Sequence, residues 1–284
     1  MPDIFYLFSK WRKPILALFI ISVVAAGVTA FLLPKRYLST TTSLPASSYS
    51  TDRSRIFNQN IQSLYSDLGT TDELDRIIGT AKLDTVYLAV TDQFNLYDHY
   101  KISKSKISPR LCAAILLKKH CRVIKSEYGE LKVKVWDTDK NLAPQLANAI
   151  TMTLDAIHRD LQSAMNKAAL KGLQLNRQRI QARIDSINGM ATVQQAEDIK
   201  MSRRTALNLQ LQENEKLSGE YELMLDNKPP VLIVVENAKP ANSPDKPRKL
   251  MIIASAALLS LIFGLLLAMV LERRKPDPIE QILT

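Results

Sequence analysis

Two stretches without a charged side chain constrain this chain more than any other feature: Pro14 to Leu33 near one end and Leu250 to Leu271 near the other. A helix of some 20 residues rises about 1.5 Å per residue and reaches roughly 30 Å, the thickness of a bilayer's hydrocarbon core. Two such runs exclude an ordinary soluble enzyme, even though the overall hydrophobic content is only 46%. Between them lie about 216 residues, enough for one real core, or for a small core and an extended element.

The first run follows Lys10, Arg12 and Lys13, as a signal peptide would. Its apolar length exceeds the roughly 7–15 residues of a signal core, so it reads as an uncleaved span. Ser22, Thr29 and Ala25-Ala26-Gly27 are the features that a cleavable signal would share. The second run ends at Arg273, Arg274 and Lys275. Basic tails at both ends place both termini in the cytoplasm under the positive-inside tendency, and the long middle segment outside it. Lys35, Arg36, Arg248 and Lys249 on the opposite flanks work against that signal.

The net charge of +10 does not imply nucleic acid: the segment between the spans and their tails holds 32 basic and 24 acidic residues, with no basic patch interleaved with aromatics. Solvated helix faces account for such an excess. A mildly basic surface also suits anionic lipid headgroups or an anionic glycan.

Past the first span, Tyr37 to Leu44 alternates and is rich in β-branched residues, a strand closed by Pro45. Ile56–Leu68 and Asp72–Lys82 read as short helices, Tyr87–Lys101 as mixed, and Ser108-Pro109 as a helix start. A hairpin follows, 121–126 and 131–136 around Tyr128-Gly129-Glu130. In its second arm Leu131, Val133 and Val135 share one face and lysines the other.

From Asn141 to about Asn227 the texture becomes helical, with Leu154, Ile157, Leu161, Leu173, Ile180, Ile184, Ile187, Leu207, Leu211, Tyr221 and Leu225 recurring at near-heptad spacing. The chain must return to the second span, and Asn188-Gly189 is the best breaker. An out-and-back hairpin results, with Leu173, Ile180, Ile184, Ile187, Leu207 and Leu211 as its packing residues. Val231–Glu236 then reads as a continuous apolar strand suited to the middle of a sheet. A stiff connector with Pro240, Pro244 and Pro247 leads to the second span, where Ser260, Gly264 and Ala268 form a small-residue stripe that permits close helix packing.

The expected fold class is an α+β membrane protein: two transmembrane helices flank a periplasmic domain, which has a small α/β membrane-proximal platform and a long helical hairpin projection. The expected divisions are an N-tail (1–13), a first span (14–33), the α/β domain (34–140), the hairpin (141–228), strand plus connector (229–249), a second span (250–271) and a C-tail (272–284).

Little in the sequence carries catalysis. His99, His120 and His158 are scattered, and Cys112 and Cys121 lack zinc-site spacing. In an exported domain the two cysteines either pair as a disulfide or are small buried residues; both readings stand. Asp137 and Asp139 resemble a carboxylate pair but sit between a strand and a helix, where turn and cap roles are the ordinary ones. GxxxxGK and GxSxG motifs are absent. The expectation is a non-enzyme without cofactor or metal.

Several features then coincide in order along the whole chain. A basic tail and a span lead into the Tyr37–Leu44 strand. The strand from Ile124 to Val135 precedes Asp137-Thr138-Asp139, Ala143, Ala147 and Asn148 at the head of the long helix, and prolines precede the last span. This pattern resembles the bacterial polysaccharide chain-length determinant family, the Wzz-type polysaccharide co-polymerases. The proline spacing is looser than in that family, and no kinase motif follows the last span. The resemblance implies an inner-membrane homo-oligomer, without an active site, that sets the length of a surface polysaccharide (O-antigen, capsule or exopolysaccharide). Its implied partners are a separate polymerase and the nascent glycan, with any tyrosine kinase on a separate chain. A periplasmic adaptor or export scaffold is the alternative, and predicts an exported C-terminus. A two-span sensor would need a cytoplasmic output domain, which about 13 residues cannot supply.

Overall fold

The computed structural model describes residues 10–46, 71–102, 108–189 and 197–273. The helix expected over 56–68 and most of both tails lie outside these residues. The chain forms two compact units, one of residues 1–38, 136–143 and 240–284, the other of 39–135 and 144–239.

In the first unit, α1 (Arg12–Leu32) and α8 (Lys249–Arg273) are the two helices long and apolar enough to cross a membrane. They pack antiparallel: Gly264 meets Ile15, and Lys249 meets Phe31. Most large side chains point outward, Ile21 at 70% exposure and Leu250 at 85%, as lipid-facing residues do. Beyond the helices, Arg36 and Lys246 form a short antiparallel bridge, with Arg36 N–H donating to the Lys246 carbonyl at 2.9 Å and Asp245 N–H to the Arg36 carbonyl at 2.9 Å.

The second unit holds a four-stranded sheet, order β2-β3-β1-β4, of β1 (Tyr37–Pro45), β2 (Cys121–Lys125), β3 (Leu131–Asp137) and β4 (Leu232–Glu236). β2 and β3 are an antiparallel hairpin with Cys121 opposite Val135 and Lys125 opposite Leu131. Its turn is closed by the Ser126 N–H to the Glu130 carbonyl, 2.8 Å, and needs the left-handed backbone of Gly129, φ 75°. Leu131, Val133 and Val135 are wholly buried, as their alternation predicts; each burial contributes roughly 1.5–3 kcal/mol.

Helices α2 (Thr71–Ala81), α3 (Asp84–Phe94), α4 (Leu96–His99) and α5 (Pro109–Lys119) contribute Leu74, Ile77, Val86, Val90, Leu96 and Leu117 to the core. The segment read as mixed is therefore helical. Val86, Tyr87, Val90 and Thr91 recur at helical spacing and are the buried face of α3.

A second difference concerns β4. Its run of apolar residues suggested a strand for the middle of a sheet, but among the described residues β4 is the sheet's edge, paired with β1 alone. Leu232 is buried, while Ile233, Val234 and Val235 are 45%, 40% and 58% exposed. An edge strand with one covered residue keeps the β-propensity of a central strand without its cover.

The long helical stretch is α6 (Leu142–Gly189) followed by α7 (Glu197–Asn227), and the turn between them lies outside the described residues. At 48 residues α6 is about 72 Å long, and α7, at 31, about 46 Å. The two run antiparallel. Asn166 Nδ2 lies 3.8 Å from Met224 Sδ, and Arg177 pairs with Glu215 at 3.0 Å.

Candidate functional site

The residues that close the second unit lie on one face of α6. The helix is led in by a turn in which Asp139 N–H donates to Asp137 Oδ1 (2.9 Å) and Asn141 N–H to Asp139 Oδ1 (2.8 Å). These carboxylates accept backbone donors of the approach to the helix, as turn and cap residues do. Ala143, Leu146, Ala147, Ile150 and Leu154 then form a fully or nearly fully buried apolar face. Three polar residues interrupt it: Thr151, buried and donating to the Ala147 carbonyl at 3.0 Å, and Asn148 and Asp155, seven positions apart. Asn148 Oδ1 accepts from Thr41 Oγ1 (2.8 Å) and from Ala238 N–H (2.9 Å). Asp155 Oδ1 accepts from Val231 N–H (2.7 Å) and Leu232 N–H (2.9 Å), and its other oxygen pairs with Arg159. The returning chain is thus held at both ends of β4 by α6 side chains. Ser39 Oγ donates to the Lys239 carbonyl at 2.9 Å, which adds a third tie.

Sequence reasoning did not find Asn148 and Asp155 as a pair. The available signal was a seven-residue polar repeat inside an apolar face, since a buried acceptor on such a face requires a donor from elsewhere in the chain. β1 carried a similar signal: its buried row is Ser39, Thr41, Ser43 and Pro45, while Leu38 and Leu44 are half-buried.

The connector prolines lie beyond this clamp. Pro240 and Pro244 are exposed and Pro247 half-buried, in a segment with neither helix nor strand. Next to them Trp136 Nε1 donates to Asp245 Oδ2 at 2.7 Å, and Lys246 Nζ sits 4.2 Å from the Trp136 ring centroid. The Trp136 hydrogen bond, with Arg248 nearby, holds the Asp245 carboxyl below the usual carboxylate range.

The small-residue stripe is used within the chain. Ser260 and Ala268 are buried, and a Cβ at Gly264 would lie 3.2 Å from Ile15 Cγ2. Along the hairpin, Ile180 and Ile184 are buried, and Leu173, Ile187, Leu207 and Leu211 half-buried. Asn214 is also buried there, at 3% exposure, with both amide atoms unpartnered.

No disulfide joins Cys112 and Cys121. Cys121 is buried and engages Tyr87, and burial pushes its thiol up to about 12, which holds it protonated at neutral pH. Tyr87 in turn donates to the Ala81 carbonyl at 2.8 Å. His158 Nε2 lies 2.9 Å from Thr80 Oγ1. His99 and His120 flank Tyr100 at ring-centroid distances of 5.0 and 6.5 Å. Among the described residues no three His, Cys, Asp or Glu side chains form a metal-holding group.

No family model matches the sequence, and no curated protein does. Among solved structures, a full-length bacterial polysaccharide co-polymerase matches over 98% of this chain and 100% of its own, at 12% identity and a TM-score of 0.41. A fragment of WzzB, a polysaccharide co-polymerase from Salmonella Typhimurium, matches over 75% of this chain and 100% of its own, at 12% identity and a TM-score of 0.30.

Proposed function

We propose that this chain is a non-enzymatic regulator of surface-polysaccharide chain length, an inner-membrane co-polymerase that works beside a separate polymerase. The observation that carries the reading is Asn148. It closes the Asp137–Asn148 segment through which the sequence resembles the chain-length determinants, and it fastens the strand that returns toward the second span. Both termini lie in the cytoplasm and the middle domain in the periplasm. The antiparallel α1–α8 pair, whose outer ends are bridged through Arg36 and Lys246, supports the same-side termini.

The protein acts as a homo-oligomer. The edge of β4, with Ile233, Val234 and Val235 exposed, supports this, because an exposed apolar edge strand attracts a further chain. The growing glycan and its polymerase are the partners. Graded expression in a deletion strain tests the reading. A regulator restores a preferred glycan length, whereas an export scaffold changes the amount of glycan reaching the surface and leaves its length distribution alone.

A further inference from the structure

The outer ends of α1 and α8 carry an unusual collection of cations. Lys35 and Arg36 follow α1, and Lys246, Arg248 and Lys249 precede or open α8. The Arg36–Lys246 bridge ties the two strips of chain together, so these five residues belong to one structure and not to two independent flanks. Lys35, Lys246 and Arg248 are exposed.

Two of the five are held in place by aromatic rings. Lys246 Nζ is 4.2 Å from the Trp136 ring centroid and Lys249 Nζ is 3.7 Å from that of Phe31. The carboxylates of the same unit engage local donors. Asp245 accepts from Trp136 and pairs with Arg248 at 3.5 Å, while Asp137 and Asp139 accept backbone N–H groups. Among the described residues, Lys35 and the Arg36 guanidinium have no carboxylate partner.

Wherever α1 and α8 span a bilayer, the residues within four positions of their ends lie at the headgroup layer, and Trp136, fixed to Asp245 and Lys246, marks that level. A cluster of fixed cations at this depth matches the phosphoryl group of a lipid. We propose that Lys35, Arg36, Lys246, Arg248 and Lys249 form a collar that binds the phosphate headgroup of an anionic lipid at the bilayer surface. The inference needs only that α1 and α8 are spans, so it survives if chain-length control fails.

Trp136 is a built-in reporter, because a phosphate drawn to Lys246 changes the field on the indole. The test uses the full chain carrying Trp11→Phe, reconstituted in phosphatidylcholine nanodiscs with and without 30% phosphatidylglycerol. The expected result is a phosphatidylglycerol-dependent shift of Trp136 emission, and preferential retention of that lipid in native mass spectrometry.

Each cation near an anionic surface contributes roughly fivefold. Lys35→Gln should therefore weaken retention about fivefold, and Lys35→Gln with Lys246→Gln by more than tenfold. Lys10→Gln with Lys13→Gln, on the opposite flank, removes the same charge and should leave the Trp136 response in place. Equal retention of phosphatidylcholine and phosphatidylglycerol would overturn the proposal. So would a response of Trp136 to inorganic phosphate in phosphatidylcholine discs as large as to the lipid, since that would make the site one for a free anion. The emission readout also covers a poorly expressed variant, because it is taken on the folded fraction alone.

Discussion

His158 and Asn214 are two polar groups for which burial has a measurable consequence. Burial lowers the His158 pKa below its ordinary 6.5, against the opposing pull of Asp155. Below that pH the unfolded chain takes up the proton before the folded one does. Stability from this group is therefore complete above about pH 6.5 and falls as pH drops toward the folded value. Denaturant unfolding at pH 7.5 and 5.5 should show a loss of stability in the wild type that His158→Gln reduces. An unchanged difference would place the titration elsewhere. Asn214 occupies a hairpin seam position with neither amide atom partnered, an arrangement that costs about 1–3 kcal/mol. Asn214→Leu should raise the unfolding free energy by about 1–2 kcal/mol, measured by thermal unfolding in detergent. A loss of stability would mean that the amide finds a partner in the assembled protein. Neither consequence was visible in the sequence, because burial at both positions depends on what packs against the helix.

Among the elements, those that declare themselves by period were legible and those decided by neighbours were not. β3 alternates strictly, and α6 and α7 repeat at helical spacing, so each appears where its residues indicate. β4 did not. Its apolar run fixes it as a strand, but whether anything covers its outer edge depends on the sheet order, which no local pattern encodes. The attachment of β4 rests on Asp155 and Asn148. Asp155→Ala leaves the Val231 and Leu232 N–H groups without their acceptor, and should cost about 2–3 kcal/mol. Hydrogen exchange should then speed up at Val231, Leu232 and their neighbours while the Cys121–Val135 hairpin keeps its protection. Uniform loss of protection would show that β4 does not open separately. At the hairpin, charged residues in place of Ile180, Ile184 and Ile187 should break the α6–α7 seam, and an unchanged oligomer mass in size exclusion would contradict that.

For the molecule as a whole, two apolar helices are long enough to span a bilayer, the α6 clamp fixes the return of the chain, and among the described residues the sheet leaves one apolar edge open. The order of these parts could be read from sequence because each has its own signature: charge-free runs, alternation, helical spacing, prolines. On the proposed reading, the property this scaffold controls is glycan length. Pro240→Ala with Pro244→Ala and Pro247→Ala should accordingly alter glycan length more than protein abundance. Equal losses of both would make the connector merely structural. The most direct measurement is the length distribution of surface polysaccharide on a gel, from cells with the gene deleted and then restored. Loss of a preferred length on deletion, with polymer still made and the length regained on restoration, is the predicted result. A distribution that is the same in both strains would contradict chain-length control.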